Sequence, residues 1–198
     1  MGCSTMGINF FEKLWSLRRK LLLLYLSSIY RFYPASRSFD EYRIAEEIGK
    51  EMNCRKVLDL GCGKGNLGKI LDPPDLYLGL DLSEIFELDG RRNYVKGSME
   101  LLPLRQDEPF DCAFFINSIF YSDWKKSILE ASRASRAMVL IDIDKKYPHI
   151  WLLDFLEGSI RKRPHDIREE MEKMGFETIV EKGGSTFALV FRKRERDL

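Results

Sequence analysis

Three glycines on alternate positions, Gly61, Gly63 and Gly65, are the residues of this chain best suited to hold a ligand. They follow Val57, Leu58 and Leu60, an apolar run of β-former character broken only by Asp59, and they precede the helix-like NLGKIL of residues 66–71. A strand that breaks into glycines and turns straight into a helix brings bare backbone N–H groups against a ligand, with the positive end of the helix dipole behind them. Spacing narrows the ligand. A dinucleotide-binding turn requires G-x-G-x-x-G, whereas Asn66 occupies the sixth position here and the third glycine arrives one residue early. A Walker loop requires Gly-Lys followed by Ser or Thr, and Lys64 is followed by Gly65. A second signal lies twenty positions after Gly61, where Leu76-Tyr77-Leu78-Gly79-Leu80-Asp81 reads as a strand ending in a carboxylate.

In open α/β sheets an acid at about this distance takes the ribose hydroxyls of a bound nucleotide. Strand, glycine turn, helix, strand and acid in this order resemble the class I S-adenosylmethionine-dependent methyltransferases, whose motif I, acidic-x-G-x-G-x-G, is read as Asp59, Gly61, Gly63 and Gly65. GSMELLPL (residues 97–104) resembles the G-D-A-x-x-L-P segment that passes the adenine in this family, with Ser98 in place of the usual Asp, so that a hydroxyl would contact the adenine amino group. The resemblance covers residues 54–192 and implies a doubly wound α/β fold. Its mostly parallel seven-stranded sheet has an antiparallel C-terminal strand and helices on both faces. S-adenosylmethionine would lie across the carboxyl ends of the first, second and fourth strands. The resemblance assigns cofactor binding to Asp59, Gly61, Cys62, Gly63, Gly65, Asp81, Leu82, Ser98, Met99 and Asn117.

Methyl transfer is an in-line displacement with a neutral sulfide leaving. The sulfonium supplies the reactivity, and the protein supplies alignment and desolvation. A general base is needed only where the acceptor must lose a proton. The candidates are Asn117, Tyr121, Tyr147 and His149, the last being one of two histidines, with His165 read as a surface residue. Asn117 matches the first position of the N-P-P-Y motif of nucleic-acid amino-methylating enzymes, but Ser118 and Ile119 replace both prolines, which argues against base amines as acceptors. Three readings stay open. The first is a small-molecule methyltransferase. The second is a macromolecule methyltransferase using the basic face of residues 13–31 or the Arg161-Lys162-Arg163 cluster. The third is a catalytically silent cofactor-binding partner protein.

The elements that must position these residues begin with an uncertain N-terminus. Residues 8–33 place Phe10, Phe11, Leu14, Trp15, Leu21, Leu22, Tyr25, Leu26, Ile29 and Tyr30 largely at helical spacing, with Arg18, Arg19, Lys20 and Arg31 on the other face. Leu21 to Leu26 is an apolar run of six, far short of the roughly 20 residues a bilayer span requires. This helix is read as a cover over the ligand cleft, with peripheral membrane contact and a partner interface as alternatives. Pro34 ends it. Phe39 to Met52 is again helical, with Asp40, Glu41, Glu46, Glu47 and Lys50 as a solvated face. The expected division is residues 1–53 as an N-terminal helical segment and residues 54–198 as the cofactor-binding domain.

After Asp81, Ser83 caps a short helix through Leu88, and Asn93 to Val95 is a third strand. Phe110 to Ile116 is a buried strand with Asn117 to Tyr121 at its carboxyl end, and Trp124 to Ala134 is a helix. A compact link over Arg133 to Arg136 leads to a fifth strand, Met138 to Ile143. Trp151, Leu152, Phe155, Leu156 and Ile160 suggest a helix, and Pro164 to Met174 is another, closed by Gly175. Phe176 to Val180 and Phe187 to Phe191 form a hairpin-like finish through Gly183 and Gly184. The chain has 198 residues and a net charge of +1, so no overall basic field points to a nucleic-acid partner. Four cysteines (Cys3, Cys54, Cys62, Cys112) form no C-x-x-C pair, which suggests neither a metal site nor a disulfide framework. Met6 breaks the myristoylation pattern and no cleavable signal is evident, which makes the cytoplasm the default compartment. No oligomeric state is assigned.

Overall fold

The computed structural model of the chain describes residues 40–83, 93–104, 109–146, 154, 159 and 161–194. The chain divides into two units, 1–33 and 34–198, and the description concerns the second. The helical reading of residues 8–33 and the short helix after Ser83 lie outside the described residues.

Val57, Leu58, Phe114, Phe115, Val139, Leu140, Leu189 and Val190 are fully buried. Runs of this kind, apolar at consecutive positions, suit strands covered on both faces. They form the centre of a seven-stranded sheet of order β3-β2-β1-β4-β5-β7-β6. The strands are β1 (Lys56–Leu60), β2 (Leu76–Asp81), β3 (Asn93–Lys96), β4 (Phe110–Ile116), β5 (Ser135–Ile143), β6 (Phe176–Lys182) and β7 (Thr186–Lys193). β1 pairs in parallel with both β2 and β4, and β4 with β5. β7 runs antiparallel to β5 and β6, which gives the mixed sheet expected from the sequence. Order reverses between β1 and β4, so the crevice at their carboxyl ends is the switch point where ligands bind in open α/β sheets.

Alternation along the strands separates two cores. Leu58, Leu60, Ala113, Phe115, Met138, Leu140 and Phe191 pack beneath helices α3 (Trp124–Ala134) and α4 (Pro164–Lys173), through Ile128, Ala131, Ile167 and Met171. Val57, Cys112, Phe114, Val139, Ile141 and Val190 face the other side, against Ile44, Ala45 and Ile48 of α1 (Asp40–Glu51) and Leu67 of the five-residue α2 (Asn66–Ile70). Each such aliphatic or aromatic side chain contributes roughly 1.5–3 kcal/mol on burial.

α1 shares its core with β1 and β4. Three expectations need correction. Glu41, read as solvated, is 9 % exposed, because the first turn of α1 lies against the end of β4. No link separates α3 from β5. Ala134 ends the helix and Ser135 opens the strand, with the Ser135 hydroxyl donating to the Ala131 carbonyl at 2.8 Å. Finally, Cys54 and Cys112 form a disulfide. They are 58 residues apart in sequence, and only the β1–β4 pairing brings them together.

Closing a loop of that length stabilises a domain by roughly 2–4 kcal/mol, chiefly through the unfolded state. Reduction by a dithiol, or Cys54→Ser, should therefore lower the unfolding free energy measured by urea titration by that amount, and alkylation of the native chain should leave both cysteines unlabelled.

Candidate functional site

Gly61, Gly63 and Gly65 all have left-handed backbones, with φ of 76°, 52° and 72°. At two of them space as well as conformation demands glycine. A Cβ on Gly61 would run into the Ser118 side chain, and one on Gly65 into the Tyr94 ring. Four amides of the turn are used within the protein, contrary to the expectation of bare N–H groups. Gly61 and Cys62 donate to the Leu80 carbonyl at 2.8 and 3.1 Å, Gly65 donates to the Cys62 carbonyl at 2.8 Å, and Gly63 donates to Asp81 Oδ2 at 2.8 Å. α2 behind the turn is too short for a strong dipole and has no side-chain cap. Donors committed in this way do not make a pyrophosphate cradle.

Asp81, at the tip of β2, is held from two sides. Oδ2 accepts from Gly63, while Oδ1 accepts from both the Ser83 amide and the Ser83 hydroxyl, at 2.8 and 2.6 Å. A carboxylate offers about four acceptor positions, so Oδ2 retains one for a ligand while Oδ1 has both taken. Leu82 beside it is 39 % exposed. Across the crevice the Met99 Cε lies 3.2 Å from where a Gly61 Cβ would stand. The Ser98 hydroxyl accepts from the Glu100 amide at 3.2 Å, so it closes a local turn.

At the end of β4, the Ser118 hydroxyl donates to the Leu60 carbonyl at 2.6 Å. Asn117 has φ 51°, a conformation to which short polar side chains are better suited than most. Its amide nitrogen donates to Glu41 Oε1 at 3.5 Å, while its buried Oδ1 has no partner among the described residues. Glu41 and Tyr42 are site neighbours that sequence reasoning missed, because a Glu and a Tyr in the first turn of an amphipathic helix read as surface. The Tyr42 hydroxyl accepts from Asn66 Nδ2 at 3.4 Å, and burial pushes its phenol up to about 12.

Asp59 lies beneath the turn and is 3 % exposed. The Tyr77 hydroxyl donates to its Oδ2 at 2.5 Å. Burial pushes the carboxyl up to about 7, the Tyr77 hydrogen bond opposing and the nearby Asp81 charge adding to the rise. The free thiol of Cys62 is buried alongside, and burial pushes it up as well.

On the β5 side of the crevice stands Arg161, 3 % exposed. Its Nε donates to Asp142 Oδ1 at 3.0 Å, its Nη1 to Asp154 Oδ1 at 2.6 Å and to Ser159 Oγ at 3.0 Å, and its Nη2 to the Tyr121 hydroxyl at 3.4 Å. Burial pushes Asp142 up to about 6, against the Arg161 charge that holds it down. The Arg161-Lys162-Arg163 cluster is therefore not an open basic patch. Lys162 pairs with Glu170 at 2.7 Å and Arg163 with Asp166 at 3.3 Å. His165 is exposed on α4 beside Asp166 and Glu169, away from the crevice. Tyr147 and His149 lie outside the described residues.

Removing one partner of a buried, hydrogen-bonded ion pair costs about 3–5 kcal/mol, because the other charge is left uncompensated. Arg161→Met should lower the unfolding free energy by about that much in denaturant titration, while Arg163→Met should change it by less than about 0.5 kcal/mol.

No protein-family model matches the sequence, and no curated protein matches it. Solved structures do match. Magnesium protoporphyrin IX methyltransferase from Synechocystis, with bound S-adenosylhomocysteine, is 14% identical over 77% of this chain and 83% of its own, with a TM-score of 0.59. A possible histamine N-methyltransferase from Thermotoga maritima is 18% identical over 94% of this chain and 96% of its own, with a TM-score of 0.58. The methyltransferase domain of bacterial CtHen1 is 19% identical over 76% and 96%, with a TM-score of 0.57. The chain has the fold of the class I S-adenosylmethionine-dependent methyltransferases.

Proposed function

We propose that the chain is an S-adenosylmethionine-dependent methyltransferase acting on a small-molecule acceptor. The observation that carries this reading is the glycine turn. Four of its amides are used internally, and it stands beside a carboxylate that keeps an acceptor position on Oδ2. Such a site suits a ribose with no phosphates attached, which describes an adenosyl sulfonium and not a dinucleotide. When bound, the cofactor supplies an electrophilic methyl group on sulfur. Asp81 Oδ2 would accept one ribose hydroxyl, and the Ser83 hydroxyl would have to turn aside for Oδ1 to take the second. The Asn117 Oδ1, without a partner among the described residues, fits an ammonium donor at the amino-acid end. Leu82 and Met99 would flank the nucleoside, and Ser98 would hold the adenine end. Because Arg161 can only donate, the Tyr121 oxygen accepts from it and the phenol proton is directed away from the guanidinium.

A small acceptor is supported by the neutralised Arg161-Lys162-Arg163 cluster, which offers no basic surface to an anionic polymer. Two of the structures with this fold, named for magnesium protoporphyrin IX and histamine, point the same way.

Calorimetry should show binding of S-adenosylmethionine and S-adenosylhomocysteine, with no heat from NAD. Asp81→Ala should weaken the affinity by about 1.5–3 kcal/mol, as for a hydrogen bond to a charged group. A screen of small hydroxyl and amine compounds with methyl-labelled cofactor then identifies the acceptor. Tight NAD binding with no S-adenosylhomocysteine binding would overturn the reading.

A further inference from the structure

We propose that Tyr77 is a positioning residue of the cofactor site, which acts through Asp59 without touching the ligand and makes cofactor affinity depend on pH. This rests on the S-adenosylmethionine reading above and adds a regulatory property to that site.

The geometry is local to β1, β2 and β3. Tyr77 stands opposite Val57, two positions before Asp59 in register, and both Val57 and Tyr77 belong to the core beneath α1. Its hydroxyl reaches Asp59 Oδ2 at 2.5 Å in a fully buried setting. The ring is itself fixed, edge-on to Tyr94 with centroids 6.0 Å apart. Tyr94 in turn fills the space left by two glycines, since a Cβ on Gly65 or Gly79 would collide with its ring. The glycines thus admit an aromatic pair, and that pair aims one hydroxyl at the carboxyl under the turn.

Among the described residues, the titratable groups that interact with Asp59 are hydroxyls, a thiol and an acid. Tyr77 and Asp81 come from β2, Cys62 from the turn and Tyr42 from α1, while Tyr94 faces Tyr77 and Glu41 faces Tyr42. In this set the Tyr77 hydroxyl is the hydrogen bond that favours the ionised carboxylate. The ammonium common to S-adenosylmethionine and S-adenosylhomocysteine is bound better above a charged Asp59 than above a neutral one. Affinity therefore rises with pH through the Asp59 titration, which burial centres near about 7. Deleting the Tyr77 hydroxyl removes support for the charged form and moves that titration to higher pH. In the unliganded protein the sign is opposite. A carboxyl raised above its unfolded value of 3.8 binds its proton more tightly when folded. Its contribution to stability is full below the unfolded value and is lost as pH rises to about 7.

The test is calorimetric titration of S-adenosylhomocysteine between about pH 6 and 8.5, on the native chain, Tyr77→Phe and Asp59→Asn, with urea unfolding of each unliganded protein over the same range and down to about pH 4. The native protein should bind about tenfold more tightly at pH 8 than at pH 6. Tyr77→Phe should show the same rise displaced upward, so that it is weaker than native at pH 7 and recovers at the alkaline end. Asp59→Asn should be flat. Coincident profiles for the native chain and Tyr77→Phe, or a loss in Tyr77→Phe that is the same at every pH, would reduce Tyr77 to a packing residue and overturn the inference. The unfolding arm needs no ligand. There the pH-dependent loss of stability should extend to higher pH in Tyr77→Phe and vanish in Asp59→Asn, and superimposable curves overturn the proposal on their own. Absence of S-adenosylhomocysteine binding by the native chain at every pH overturns the cofactor reading itself, and the link to affinity with it. Binding with a flat profile overturns this inference alone.

Discussion

The crevice depends on how closely two parallel strands approach at their carboxyl ends. Ser118 occupies the space where a side chain on Gly61 would be, and its hydroxyl is bonded to the carbonyl one residue earlier, Leu60. This contact joins β4 to β1, while the Gly61 and Cys62 amides on the Leu80 carbonyl join β1 to β2. Three strand ends are thereby fixed before any ligand arrives. The rest follows from that arrangement. The chain must turn with φ above zero at Gly61, the next amides point inward, and Gly63 meets the Asp81 carboxylate. Preorganisation of this kind lowers the ordering cost that a ligand would otherwise meet on binding.

The two faces of the sheet divide stability from chemistry. Beneath α3 and α4 the core is dense in Phe and Leu, with Phe115, Phe187, Phe191 and Leu140 fully or almost fully buried. Beneath α1 and α2 the aliphatic core of Ile48, Val139 and Val190 gives way, near the turn, to Asp59, Tyr77, Tyr42 and Asn66. Buried polar groups are costly unless hydrogen-bonded, and here each hydroxyl named has a partner. An ionisable group survives at the centre of this cluster because its charged form is only partly populated near neutrality.

The individual strands and the turn were legible from residue pattern because both are local, whereas the sheet as a whole was implied by the family resemblance. Phe110–Ile116 is bounded as its apolar run predicts, and the alternate glycines do adopt the conformations that only their spacing implied. What the pattern could not carry is the use made of each group. The direction of the turn's N–H bonds depends on β2 lying beside β1, a non-local fact. The Cys54–Cys112 bond depends on β4 crossing to the other side of β1. Glu41 reads as solvent-facing because its helical position is judged without knowing what the first turn meets. Arg161 reads as part of a basic run because its carboxylates come from β5 and from residue 154.

That last case bears on the acceptor. A guanidinium this deeply buried needs compensating carboxylates, and Asp142 and Asp154 provide them. Lys162 and Lys125 similarly converge on Glu170, holding its carboxyl down to about 2, and both lysines lie over the Trp124 ring. Positive charge on this side of the molecule is thus turned inward or balanced within a few ångströms. It ties Asp154, Ser159 and Arg161 to β5 instead of generating an external field. Long-range attraction of a polyanion requires uncompensated charge spread over a surface. Among the described residues, the Arg161-Lys162-Arg163 cluster carries its compensating carboxylates with it.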